Sequence, residues 1–161
     1  MRVSAKADYA LRALIEMGAR SAGHAGQGGD AGRPVSAEEL GRLQGIPHNF
    51  LQAILADLRR SGIVLAQRGQ AGGWRLAKPA ASVTVADVIR AVDGPLVSVY
   101  GLRPEAVTYN ERADALQRVW IAARHSLRDV FEQVSVADLV AGSLPPGVAR
   151  LTEDEDAWQP H

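Results

Sequence analysis

SAEELGRLQGIPHNFLQAILADL, residues 36–58, decides how the chain folds. Ser36 stands three residues before Glu39, the spacing at which a hydroxyl and a carboxylate satisfy two free N–H groups at a helix start. Leu40 and Leu43 follow as the apolar positions of a short helix over about 37–44. Gly45 supplies the left-handed residue that ends it. Pro47 suits the first turn of a new helix. Leu51, Ile54, Leu55 and Leu58 then recur at the spacing of one buried stripe. Two short helices joined by a tight glycine turn form a helix-turn-helix.

Upstream, Ala7, Ala10, Leu11, Leu14, Met17 and Gly18 keep a 3.6-residue period and predict a helix from about Ser4 to Arg20. Residues 21–33 are rich in Gly and Ala without a period and read as a loop. Downstream, Gly62 closes the third helix. Val64–Arg68 and Trp74–Ala77 read as strands around a turn holding Gly69, Gly72 and Gly73, and Pro79 ends the hairpin. Helix, capped helix, glycine turn, helix and glycine-tipped hairpin is the order of a winged helix-turn-helix, assigned to residues 1–80. Thr84 with Asp87 starts a further helix through about Val92, and Asp93-Gly94-Pro95 breaks it. Residues 81–110 are thus a connecting helix and a candidate sensor segment, 96–110, without clear period. A long helix is predicted over Glu111–Val134. Its stripe of Leu116, Val119, Trp120, Ala123, Leu127, Val130 and Phe131 is too long for a helix that packs only on its own small domain, so it reads as a dimer interface. Ser135 with Asp138 begins a short final helix, completing a 111–142 unit. Residues 143–161, with Glu153–Asp156, are expected to be an unordered acidic tail. The fold class is mainly α with a small β-hairpin wing.

The chain has 161 residues, 47% hydrophobic and 22% charged, enough to bury a core. It contains no cysteine, which excludes disulfides, thiolate zinc sites and cysteine-ligated iron–sulfur clusters. No apolar run reaches a membrane span and the N-terminus does not read as a signal peptide, so the expected location is the cytoplasm. The net charge of zero hides an asymmetry: residues 1–80 hold 11 Lys/Arg against 6 Asp/Glu, and residues 81–161 hold 7 against 12. A basic first half suits a polyanion partner. His24, His48, His125 and His161 lie in unrelated settings, and no triad, metal or P-loop spacing occurs. An enzyme is not expected, nor a metal or cofactor site.

The buried stripe of the third helix leaves His48, Asn49 and Gln52 outward near its start. The major groove of double-stranded DNA admits a helix, and Asn and Gln pair bidentately with adenine, so these three are the base-reading candidates. Arg59 and Arg60, at the other end, suit phosphates. In the wing, Arg68 and Arg75 flank the turn, and Gly72 and Gly73 allow close backbone approach; a narrow minor groove favours arginine. Arg2, Lys6 and Tyr9 add candidate backbone contacts. Tyr100, Tyr109 and Trp120 have two readings: aromatic packing, or the lining of an effector pocket.

The segments MRVSAKADYALRAL (1–14), PVSAEEL (34–40), GIPHNFLQAIL (45–55), LRRSGIV (58–64), RGQAGGWRLA (68–77) and VTVADVIRAVDG (83–94) resemble the Rrf-two (BadM-type) family of bacterial transcription regulators. The resemblance runs nearly from Met1 to Val140. It implies a homodimer made by the long helix, a third helix in the major groove and a wing arginine, here Arg68, in the minor groove. It also implies a sequence-specific regulator, expected to act as a repressor on a pseudo-palindromic operator. Gln52 stands where several relatives carry Glu, so no operator sequence transfers. Many relatives hold an iron–sulfur cluster through three cysteines in the stretch that is Leu96–Asn110 here. That stretch has none, and the chain resembles the cluster-free branch. The alternative function is a regulator that answers a small molecule or a partner enzyme, its acidic second half acting as a protein-interaction module.

Overall fold

The computed structural model describes residues 3–22 and 32–160. The chain runs α1 (Ala5–Ala22), α2 (Ala37–Gln44), α3 (His48–Arg60), β1 (Val64–Gln67), β2 (Gly73–Leu76), α4 (Val85–Val92), α5 (Ala115–Phe131), α6 (Val136–Ala141) and α7 (Pro146–Ala149), with short 3₁₀ turns between and after them. Among the described residues no helix is long and apolar enough to cross a membrane.

Local sequence explains most boundaries. The Ser36 hydroxyl accepts from the Glu39 N–H, as its spacing predicts. The reciprocal half of the box is missing, because the Glu39 carboxylate instead accepts from Arg20 of α1 at 2.6 Å. The boxes at Thr84/Asp87 and Ser135/Asp138 close in both directions. Gly45 ends α2 at φ 63°. At the end of α3 the Ile63 N–H reaches the Leu58 carbonyl and the Gly62 N–H that of Arg59, which caps the last turn. Pro47 takes the position before the first turn of α3 rather than within it.

β1 and β2 pair antiparallel, Val64 opposite Leu76 and Gln67 opposite Gly73. A third segment joins them: Val35 and Trp74 exchange both backbone hydrogen bonds, at 2.9 and 2.8 Å. The Gly72 N–H closes the tip on the Gly69 carbonyl. Gly73 sits at φ 148°, and a Cβ there would lie 2.6 Å from the Val35 carbonyl oxygen. A Cβ at Gly72 would strike the Gln67 and Gly69 carbonyl oxygens. These glycines are required by the hairpin itself, a reason distinct from the close approach to DNA expected of them.

One core joins α1, α2, α3, the hairpin and α4, with Leu14, Leu40, Leu51, Ile54, Leu55, Leu58 and Val64 fully buried. It does not stop at residue 80, where a boundary was expected. Val85, Ala86, Val88, Ile89 and Val92 of α4 belong to it, as do Val134 and Val136. Paired backbone bonds between Val83–Val85 and Val134–Val136 bring the chain back after α5. There α6 packs on α1 so closely that a Cβ at Gly18 would lie 2.9 Å from Val140.

The second half departs from expectation in two ways. Residues 111–114 form turns, so the long helix begins at Ala115. The stretch after Leu144 is ordered in short turns: Pro146 opens α7, Val148 buries itself in the core, and the Trp158 indole N–H donates to the Thr152 carbonyl at 2.8 Å. An apolar anchor so close to Pro145-Pro146 holds the chain down, while Glu153–Asp156 remain exposed.

Glu132, at the foot of α5, accepts from Arg128 at 3.0 Å and from Arg90 of α4. These hydrogen bonds, Arg128 first and then Arg90, pull its pKa from 4.5 to about 2. A carboxylate whose folded pKa lies below its unfolded value stabilises above the unfolded pKa and loses that contribution as pH falls through the folded one. Glu132→Gln therefore lowers the thermal midpoint at neutral pH, and the gap to the parent narrows between pH 4.5 and 2; a calorimetric pH series checks this. Gly73→Ala costs about 1–3 kcal/mol from the strained φ and the Val35 clash, read by urea unfolding.

Candidate nucleic-acid interface

The orientation of α3 follows from its buried stripe. Leu51, Ile54, Leu55 and Leu58 are all 0% exposed. His48, Asn49, Gln52, Ala53, Ala56, Arg59 and Arg60 are all exposed. Asn49, Gln52, Ala53, Ala56 and Arg60 recur at three- and four-residue steps, so they share one outer face. The sequence reading singled out the polar members and passed over Ala53 and Ala56. Small side chains in the middle of that face let the helix axis come close to an opposing surface; their signal was there, as alanine at positions 53 and 56, between the buried-stripe residues.

A hollow of about 400 Å³ lies beside this face, lined by Gln52, Ala56, Arg59, Arg60 and Trp74. Trp74 thus joins the wing to the outer side of α3, a role that sequence reasoning did not give it. Alternation along β2 then turns Arg75 to the opposite sheet face, where its guanidinium donates weakly to the Leu76 carbonyl at 3.4 Å. Arg75 is half-buried, whereas Arg68 is exposed at the tip. Arg59 and Arg68 have no ion-pair partner among the described residues.

The α1 candidates fare differently. Arg2 lies outside the described residues. The Lys6 amine is already committed: it pairs with Asp57 of α3 at 2.5 Å and donates to the Val92 carbonyl of α4 at 2.8 Å. The hydrogen bond that Lys6 donates to Asp57, with the charge of Lys6 and of Arg60, holds the Asp57 carboxyl below its usual range. Lys6, from which a contact to the DNA backbone was expected, thus has its amine engaged in bracing three helices. Arg60 also reaches Asp57, at 2.6 Å, but remains 75% exposed. Tyr9 is half-buried against Phe50 in an edge-on ring contact, centroids 6.3 Å apart, with the Arg12 guanidinium over its ring. Phe50, 54% exposed at the head of α3, is a further residue that the sequence reading left out.

The three proposed pocket aromatics do not converge. The Trp120 indole N–H donates to the Tyr109 hydroxyl at 3.2 Å, which favours the packing reading for that pair. Tyr100 is 93% exposed in a tight turn, at φ 53°.

Fold and site define a DNA-binding transcription regulator of the winged helix-turn-helix class, not an enzyme. The family model described as "Rrf2: Iron-dependent Transcriptional regulator" matches residues 3–142, and the chain belongs to that family. It is 40% identical over 159 residues to the HTH-type transcriptional regulator Rv1287 of Mycobacterium tuberculosis, covering 99% of this chain and 93% of that one. Its fold is similar to that of CymR, the global cysteine regulator of Bacillus subtilis, with a TM-score of 0.68, 25% identity, and 89% and 98% of the two chains covered. The IscR structure from T. potens gives a TM-score of 0.62 at 25% identity, over 100% and 93% of the chains.

The family description names iron, and the donor set here does not fit a thiolate-held iron centre. The chain has no cysteine, and among the described residues no three His, Asp or Glu side chains converge. The segment that would carry such ligands offers Arg103, Glu105 and two tyrosines instead.

The two roles of the basic residues separate experimentally. Arg59→Ala should reduce the slope of log affinity against log salt by about 1, as expected for one lost phosphate contact. Lys6→Met should leave that slope unchanged and lower the unfolding midpoint, because the Asp57 carboxylate loses its partner. Salt titrations of DNA binding together with thermal melts decide both.

Proposed function

We propose that the protein is a homodimeric repressor that reads a pseudo-palindromic DNA operator, His48, Asn49 and Gln52 facing bases in the major groove. Arg68 enters the minor groove and Arg59 and Arg60 hold the backbone. The observation that carries this reading is the outer face of α3. It is polar or small throughout, and beside it Arg59 and the wing's Arg68 have no ion-pair partner among the described residues, while Arg60 pairs with Asp57. Groove edges offer donors and acceptors to such a face, and phosphates offer charge to the arginines.

The dimer rests on α5. This 17-residue helix has no buried residue, although its sequence is amphipathic. Leu116 is 43% and Val119 53% exposed, and Trp120, Ala123, Leu127, Val130 and Phe131 are half-buried along the same stretch. Ile121, 37% exposed, joins the uncovered apolar surface without having been in the expected stripe. A helix of this kind gains stability when a second copy covers it. Two copies then present their α3 helices to half-sites about 34 Å apart, one helical turn of DNA. Occupation of that stretch excludes other proteins from it, which is the basis of repression. The place of action is the cytoplasm, where a bacterial regulator meets its DNA.

Selection of genomic fragments by the purified protein, followed by sequencing, tests the reading directly. Enriched sites with two related half-sites, bound at least tenfold more weakly by Arg68→Ala, are expected; fragments without such symmetry, or an unaffected Arg68→Ala variant, contradict it. Val119→Asp should shift the protein toward monomer in sedimentation velocity and weaken operator binding in parallel. A monomeric parent chain that binds DNA as tightly would refute the dimer.

A further inference from the structure

A cleft of about 490 Å³ opens beside the end of α4, between the 94–105 segment and α5. Arg90, Arg103, Arg124 and Arg128 line it against a single carboxylate, Glu105, with Leu96 as apolar lining. The second half of the chain is acidic and holds 7 Lys/Arg, yet four of them meet at this cleft.

Internal pairing accounts for only part of that charge. Glu105 accepts from Arg124 at 2.5 Å. Glu132 is shared by Arg90 and Arg128, and Arg90 also lies 3.7 Å from Asp87. The Arg103 guanidinium makes no hydrogen bond or ion pair among the described residues, while its backbone carbonyl accepts from Ala106. Four guanidinium groups against three carboxylates, Asp87, Glu105 and Glu132, leave one positive charge uncompensated. Arg124 and Arg128 are also one helical turn apart on α5, a like-charge spacing that costs stability unless an anion lies between them. The guanidinium fork matches carboxylate and phosphate oxygens in pairs, and the cleft volume falls in the range of small-molecule sites.

We propose that this cleft binds a small anion bearing carboxylate or phosphate oxygens, with Arg103 as the free anchor and Arg124 and Arg128 as the clamp. The site deepens the reading of the chain as a regulator that answers a small molecule, and it differs from the aromatic pocket expected from Tyr100, Tyr109 and Trp120. Glu105 acts as an internal stand-in for one ligand oxyanion and competes for Arg124.

Isothermal titration calorimetry of the full chain tests this without DNA, so a failure here is separate from any failure of operator binding. The probes are inorganic phosphate, succinate and citrate, titrated at constant ionic strength. Saturable binding of at least one of them, near one per chain, is expected. Arg103→Ala should weaken it about tenfold, the loss of one charge-assisted hydrogen bond, and Arg103→Glu should abolish it. Glu105→Gln, which frees Arg124, should tighten binding several-fold. Arg112→Ala, an exposed arginine outside the cleft, should leave it unchanged. Because Arg103 holds nothing in place, its variants should fold as the parent does, which circular dichroism confirms. The proposal is overturned if none of the three anions binds saturably, or if the bound anion is insensitive to both Arg103 variants, or if Glu105→Gln weakens binding.

Discussion

Burial of one stripe on α3 governs the whole DNA-facing surface. Leu51, Ile54, Leu55 and Leu58 lose all contact with water, each worth on the order of 1.5–3 kcal/mol. A helix has one rotation about its axis that achieves this. Once that rotation is set, Asn49, Gln52, Ala53 and Ala56 have no choice but to face outward. Recognition chemistry is thus a by-product of core packing: the polar face is presented because the apolar face is held. The cap at Gly62 and Ile63 adds a second restraint, since it aims the chain into β1 and so fixes where the wing stands relative to α3.

Around this helix the protein spends polar interactions on bracing. Lys6 links α1 to Asp57 on α3 and to the last turn of α4. Arg12 of α1 donates to Gln44 of α2, whose amide in turn donates to Glu16. Arg20 holds Glu39. These contacts lie at the rim of the core, half-exposed, where a single ion pair contributes little. Their value is orientational, because each joins two helices whose relative angle decides how far α3 projects. A basic residue in the first half is therefore not by itself a DNA contact. Arg59 and Arg68 have no ion-pair partner among the described residues, which is why they are proposed for phosphates and grooves.

The second half shows the reverse division. α4 and α6 enter the core and act as part of the winged unit, whereas α5 touches it only through Val130 and Phe131 at its end and leaves Leu116, Val119 and Ile121 exposed. The chain returns through the Val83–Val136 backbone pairing, so α5 is a loop-out held at both ends on a rigid base. The arginine cleft lies at the same junction, between the base of α5 and the end of α4.

Much of this was legible in the sequence because it depends on neighbours a few residues apart. Helical period, the Ser36, Thr84 and Ser135 caps and the glycine stops are local effects, and they determined the elements, their order and the outward face of α3. What the amino-acid order left open involves partners far apart in the chain. Nothing near Lys6 announces Asp57, nothing near Gly73 announces Val35, and nothing in an acidic half announces four arginines around one cleft. A long charged side chain serves a brace or a ligand equally well, and only the tertiary juxtaposition selects between them. Local bonding laid down the helices and the wing; the choice of which charges are consumed inside and which remain for a partner was made by packing.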